Sequence, residues 1–531
     1  MLDKLTQQQR MILAVVLSFA FFALYDTYFM PKPQINDVNI TKQVVKQQAP
    51  DIKQANSAPS IKAEPSSSVT KAPITSSKVL VSVEAKDFRL SIDNLGRVSS
   101  YELISKRFID SEGNPAKLID SSAKLKPLEI RFSDPSINSE AFSVNYISDK
   151  NSIVLNGKEE SVVLTQKLSS ITITKTITFK SNGTYTLDIK LSTPSEFFIT
   201  NGSHPTAEDD RFVFNGVIAG RSDGSLEMIK DGDAEGNIFV AHADFLASSA
   251  KYYTTTFYDF KDGLDVVISS DLEENPESFI KSKTDITLHG YIGDKDYDKL
   301  ESIDKKLTNV IEYGFFTFIS RPMFLFLKYI FSFVGNWGWT IVIATIIIKL
   351  ILYPLTYKGM VSMNKLKELS PQIKAIQKEH KKNPQKMNAK MMELYKKNGA
   401  NPMGGCLPMI MQIPVFFAIY RVLLNSSELK DAPWTMWISD LSVMDPYYVL
   451  PILMGGTMFW QQRITPTNFT DPMQEKIMKF LPLIFTFFFV TFPAGLTLYW
   501  FINNLFSVGQ QYYVNSIFAK HKKGDGNDAK S

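Results

Sequence analysis

The 531-residue sequence predicts a membrane protein of two unlike parts, an all-β domain and a polytopic all-α core of five helices, with a further anchor helix at the N-terminus. Three observations predict it. Charge divides unevenly, with 23 Lys/Arg against 11 Asp/Glu from Arg321 onward and 35 against 43 before it. Apolar periodicity is two over a long middle stretch and gives way afterwards to apolar runs near the roughly 20 residues that cross a bilayer. A single cysteine, Cys406, excludes an intrachain disulfide framework and a Cys-rich zinc site, and it leaves the redox compartment open.

Residues 1–30 read as a transmembrane anchor. Lys4 and Arg10 precede an uncharged run from Met11 to Tyr25, and no A-x-A cleavage pattern lies near Ala20 and Ala23. An uncleaved anchor with its basic end cytoplasmic is favoured over a signal peptide. Residues 31–78, rich in Gln, Lys, Ser, Ala and Pro, are too polar to bury a core and read as a disordered linker. Residues 79–310 form the β-sandwich domain. Ile171, Ile173, Ile177 and Phe179 lead into Ser181-Asn182-Gly183, and Tyr185, Leu187, Ile189 and Leu191 follow, a hairpin whose Asn-Gly supplies positive φ. Further strands are expected at Leu80–Val83, Phe88–Ile92, Val162–Leu164, Tyr252–Phe257 and Val266–Ile268.

Residues 311–332 read as an amphipathic helix in the interface plane, aromatic with Arg321 and Lys328 among the rings. The core, 333–515, offers spans at Trp337–Leu355, Leu407–Leu424, Tyr447–Phe459, Ile477–Phe492 and Leu496–Val514. Pro408, Pro414, Pro482 and Pro493 predict bent or short helices there. Within the core, 356–400 is a helical hairpin carrying eleven lysines against three glutamates between Lys358 and Lys397, and 516–531 is a basic tail. The positive-inside rule makes the hairpin, the tail and both termini cytoplasmic, with the β-domain on the other side.

Covalent chemistry is excluded by what the spans lack. All five histidines and every Asp or Glu fall outside the last five spans, and no G-x-x-x-x-G-K-[ST] sequence is present. No catalytic residue, metal ligand or cofactor is expected. The ionisable group left in the bilayer is Lys349, with Thr345 and Tyr353 four residues either side. Two readings stand: a lysine that snorkels to the cytoplasmic interface, or one in a wet cavity. The last span carries Asn503, Asn504, Ser507, Gln510 and Gln511 below Tyr499 and Trp500, either as interhelical hydrogen bonds or as a cavity wall. In the hairpin, Met360, Met363, Met387 and Met391 among lysines such as Lys374 would give adaptable apolar contact.

Phe333-Val-Gly-Asn-Trp-Gly338, Tyr353-Pro-Leu-Thr356, Asn401-Pro-Met-Gly-Gly-Cys-Leu-Pro408, Asp445-Pro-Tyr-Tyr448, Pro451-Ile-Leu-Met-Gly455, Asp471-Pro-Met-Gln474 and Phe492-Pro-Ala-Gly-Leu496 together resemble the YidC membrane protein insertase family. The resemblance covers about Tyr313 to Tyr513, and the β-domain with its anchor resembles the Gram-negative branch, whose periplasmic domain is a β-supersandwich. It implies an insertase and chaperone of the bacterial inner membrane, acting alone or with the Sec translocon, through a groove open to cytoplasm and lipid. The groove falls on Lys349, Thr345, Tyr353, Gln412, Tyr499, Trp500 and Asn503. Lysine at 349 departs from the family's usual arginine, and Trp500 from the second residue of its tyrosine pair. The implied partners are nascent membrane proteins, the Sec translocon, a ribosome or targeting machinery, and lipids, with no specific nucleic-acid readout. A transporter of lipid or small molecules is the alternative, and it would predict inverted repeats, which the sequence does not display.

Overall fold

The computed structural model describes residues 78–109, 113–205, 213–380, 383–401, 407–465 and 472–528. The expected anchor, and the linker apart from Lys78, lie outside these residues. Packing divides the chain into two compact units, one formed by the described residues up to Ile104 with Ala116–Gly293, the other by Ser105–Pro115 with Asp294 onward.

The first unit is all-β apart from one short helix. Five strands form one sheet in the order Ala116–Ile119, Val98–Leu103, Phe88–Asp93, Val79–Glu84, Ser152–Val154, antiparallel except for the last pair. Thirteen strands form the other. The hairpin read from the sequence pairs Thr172–Phe179 with Thr184–Leu191, Tyr185 opposite Phe179. Of the Asn-Gly pair expected to supply positive φ, one residue does so. Lys180 N donates to Thr184 O at 3.0 Å, closing a three-residue loop in which Gly183 alone has positive φ (84°). Asn182 instead accepts from Thr184 N and Oγ1. A side chain at 183 would also collide with the Ile292 carbonyl, 2.7 Å from where its Cβ would stand.

Alternation buries Ile173, Ile177 and Phe179, and on the same face it buries Lys175, whose Nζ donates to Gly96 O at 3.0 Å and Leu128 O at 2.7 Å. Beside it lies a buried ionic cluster. Arg97 reaches Asp93 at 2.8 Å and Glu129 at 3.0 Å, and Arg131 closes on the other Glu129 oxygen at 2.9 Å. The one short helix, Pro135–Ala141, starts where Asp134 accepts from Ser136 N and Ile137 N, with proline in its first turn.

The second unit is helical. The sequence boundary at 310 moves to Asp294, because Asp296 caps a helix at Tyr297–Ile303 whose Leu300, with Leu307 and Val310 beyond it, is buried in this unit. Long helices follow at Thr317–Val334, Trp337–Ile351, Tyr353–Glu368, Leu407–Asn425, Val449–Ile464, Pro472–Phe489 and Ala494–Asp528, with Ser370–Glu379 and Pro384–Lys397 as the expected hairpin.

Each of the five core spans expected from the sequence falls on one of these helices, with different ends. Among the described residues one unbroken helix, Thr317–Val334, is long and apolar enough to cross a membrane, and Trp337–Ile351 with Tyr353–Glu368 passes only as a pair bent by 64°. The helix expected to lie in the interface is thus the one that meets the length and composition of a span. Its charges explain both facets: Arg321 donates to Asn309 Oδ1 at 2.8 Å and Lys328 reaches Asp298, so the polar side is docked on 297–309 while Phe318, Tyr329 and Phe333 stay exposed. The last helix continues through the expected tail to Asp528, 35 residues in all. At 1.5 Å per residue that is about 50 Å, well beyond a hydrocarbon core of about 30 Å.

Candidate functional site

The Trp337–Ile351 helix is set by the residues around its start. Gly335 (φ 66°) ends the preceding helix in the left-handed region, and Asn336 Oδ1 caps the next through Trp339 N at 3.0 Å while its Nδ2 holds the Pro433 carbonyl at 3.0 Å. At Gly338 the Trp434 ring lies where a Cβ would approach to 2.2 Å, so any side chain would push this helix off. Its inward face is therefore fixed, and it buries Thr340, Thr345 and Lys349.

The final helix starts equally firmly. Asp445, 1% exposed, accepts from Trp437 Nε1, Tyr447 N and Leu450 N, and Gly495 N donates to Leu441 O at 2.9 Å. This helix then packs against the Trp337–Ile351 helix.

Lys349 is 8% exposed and its Nζ donates to Ser507 Oγ at 2.8 Å, directed into the helical unit. Ser507 Oγ in turn donates to Asn503 O at 2.8 Å. Along the last helix, Asn503 Oδ1, Asn504 Nδ2, Gln510 Oε1 and Trp500 Nε1 are buried atoms with no hydrogen-bond partner among the described residues, as is Tyr353 Oη at the start of the helix after Lys349. Buried amides are ordinarily paired, so such a concentration is unusual.

The seven predicted groove residues are not brought together as one cluster. Lys349 and Asn503 share Ser507. Gln412 Nε2 donates to Tyr499 Oη at 2.6 Å, and Trp500 packs edge-on against Phe416 at 4.6 Å beside Phe485 and Phe489. Thr345 returns its hydroxyl to Ile341 O at 2.6 Å and offers no free donor. Tyr353 is not on Lys349's helical face as the four-residue spacing implied, because the helix ends at Ile351 and Tyr353 opens the next one, with Pro354 in its first turn. The span expected to reach Leu355 is shortened for the same reason.

Of the two readings of the last span, hydrogen bonding within and between helices describes part of it. Gln511 Nε2 bonds Asn515 Oδ1, which also accepts from Asn364 Nδ2, while Asn515 Nδ2 donates to Ile464 O, all ties within and between helices. The turns above hold the unpaired groups. Ser507 was legible as part of this polar stripe, but its pairing with Lys349 bridges 158 positions and has no sequence signal.

In the hairpin, Met391 is buried with Leu369, Ile373 and Ala400 in a small core, which removes it from the adaptable surface; Met360, Met363 and Met387 are half-buried, Lys374 is exposed, and Met392 is 48% exposed. Among the described residues no group of three His, Cys, Asp or Glu side chains could hold a metal.

Residues 80–326 match the family model described as the YidC periplasmic domain, and residues 329–522 match that of the 60Kd inner membrane protein. A membrane protein insertase YidC of Campylobacter jejuni is 48% identical over 99% of both chains, and one of Wolinella succinogenes is 48% identical over 98% of this chain and 97% of its own. The chain belongs to the YidC membrane protein insertase family. A Helicobacter pylori member is 45% identical over 98% of each. A crystal structure of an active YidC insertase with its first transmembrane domain resolved is 19% identical, covering 84% of this chain and 95% of that one at a TM-score of 0.39. The family's two matched regions meet between Phe326 and Tyr329, inside the Thr317–Val334 helix.

Proposed function

We propose that the chain inserts nascent membrane proteins into the bacterial inner membrane and assists their folding, without a covalent step. The observation that carries this is end-to-end likeness, at 48% identity, to relatives named membrane protein insertases. The polar face around Lys349 supplies the physical route. A client's polar external segment meets an ammonium and unpaired amides there in place of hydrocarbon, which shortens the dry distance it crosses. Burial of its apolar helix in lipid drives transfer at about 25 cal/mol per Å².

In this reading the lysine-rich hairpin is cytoplasmic and receives clients, the ribosome or targeting machinery, and the β-unit is periplasmic. The Thr317–Val334 helix lies along the interface, its exposed aromatics in lipid. The Sec translocon is a partner in the same reading, and both termini are cytoplasmic.

The test is protease protection of a client's external segment in vesicles, using an acidic client and its neutralised form at matched insertase levels. Lys349→Arg should retain insertion. Lys349→Ala should lower it for the acidic client by about tenfold, the order expected for losing one hydrogen-bonded charge, and Lys349→Glu should lower it more. Equal insertion of both clients by wild type and Lys349→Ala overturns the electrostatic role. Normal accumulation of membrane proteins after depletion of the chain overturns the insertase reading itself.

A further inference from the structure

A lysine ammonium is a point charge on a four-carbon stem, and unless something holds it the charge samples many positions. In this chain something does. Ser507 Oγ sits 2.8 Å from Lys349 Nζ and gives its own proton to Asn503 O at 2.8 Å, so the hydroxyl's lone pairs are what face the ammonium. The hydroxyl is itself held, since its acceptor is a backbone carbonyl one turn back on the same helix. Gln510 Nε2 lies 3.5 Å from the Lys349 carbonyl, a second tie between the same two helices at the same level. Ser507 is 5% exposed and Lys349 8%, so water competes weakly with this contact.

We propose that Ser507 is a positioning residue that fixes the Lys349 ammonium in the site and thereby sets how strongly the chain favours clients with acidic external segments. The proposal rests on the reading of Lys349 as a client-facing charge. One of the three ammonium N–H groups is engaged by Ser507, and the other two are then presented in a set direction to an incoming carboxylate. Ordering the stem before the client arrives removes from the encounter the rotamer entropy of a lysine, one of the largest among side chains. The neutral hydroxyl gains no affinity for the client of its own, so its influence passes through Lys349 alone.

The experiment uses the full chain in vesicles with the acidic client and its neutralised form. Ser507→Ala should lower insertion of the acidic client roughly three- to tenfold and leave the neutral one unchanged, and Ser507→Thr, which keeps the hydroxyl, should restore the acidic client. Joined to Lys349→Ala, Ser507→Ala should add nothing further, as expected of two residues acting as a unit. Should Ser507→Ala accumulate poorly, Ser507→Cys, of similar size but a weak acceptor, serves in the same comparison. An equal fall for both clients marks a merely structural role and overturns the proposal. So does an unchanged acidic client under Ser507→Ala while Lys349→Ala still lowers it, which leaves the reading of Lys349 intact. If neither substitution distinguishes the clients, that reading fails as well.

Discussion

The two units bury polar groups in opposite ways. In the β-unit Asp93, Arg97, Glu129 and Arg131 are each less than 10% exposed and answer one another at 2.8 to 3.0 Å, and Lys175 finds two carbonyls. In the helical unit Lys349 is as deeply placed, yet the amides beside it have atoms with no partner among the described residues. A satisfied network fixes a structure, whereas an unsatisfied one costs stability and persists where something else is to be bound. On the proposed function, the contrast is one between a scaffold and a client-facing surface.

Breaking the satisfied network should have the largest effect. Glu129→Ala leaves Arg97 and Arg131 without their shared carboxylate, and the β-unit should lose about 3–5 kcal/mol, read as lost hydrogen-exchange protection in its strands. Unchanged protection would mean that the cluster is solvated and that the contrast is false.

A matched pair of substitutions sharpens the comparison. Lys175→Met removes the donor to the Gly96 and Leu128 carbonyls and should cost about 1–3 kcal/mol. Asn504→Leu removes an unpaired donor, so its stability cost should be near zero or reversed while insertion falls. Equal destabilisation by both would make the two surfaces the same kind.

The smallest expected effect concerns pH. Glu428 accepts from Tyr297 N at 2.9 Å, and burial, then the neighbouring Asp296 charge, push its carboxyl up to about 7. Arg107, which pairs with Asp296 at 3.3 Å, offsets this in part. Between an ordinary value of 4.5 and about 7 the folded chain holds a proton that the unfolded chain has released, so stability falls as pH rises through that window. Glu428→Gln should remove the fall between pH 5 and pH 8. The readout is fluorescence-detected unfolding, since all six tryptophans lie in the helical unit. Parallel pH profiles for the two proteins would rule out Glu428 as the source.

Local rules made much of the fold legible. Period-two alternation located the hairpin at 172–191 with its loop at Ser181-Asn182-Gly183, and of the Asn-Gly pair Gly183 alone takes positive φ. Gly335 and Asn336 were legible only as part of the family-like motif, and their roles as helix stop and cap came from the structure. Helix ends at Leu352 and Asp528 were misjudged, since apolar content continues across a 64° bend and a polar tail can prolong a helix already begun. Thr345 and Tyr353 followed from spacing, and each was displaced by a choice made elsewhere: a hydroxyl returned to its own backbone, and a break between helices.

By itself the sequence determined two unlike regions, the change of period between them, a lysine inside an apolar run and, separately, a stripe of amides in the last span, because these depend on residue type and near neighbours. The tertiary structure decided what Lys349 touches. Its partner Ser507 lies 158 residues away, and the choice between snorkelling outward and turning inward depends on which helix packs against that face, which no local spacing encodes.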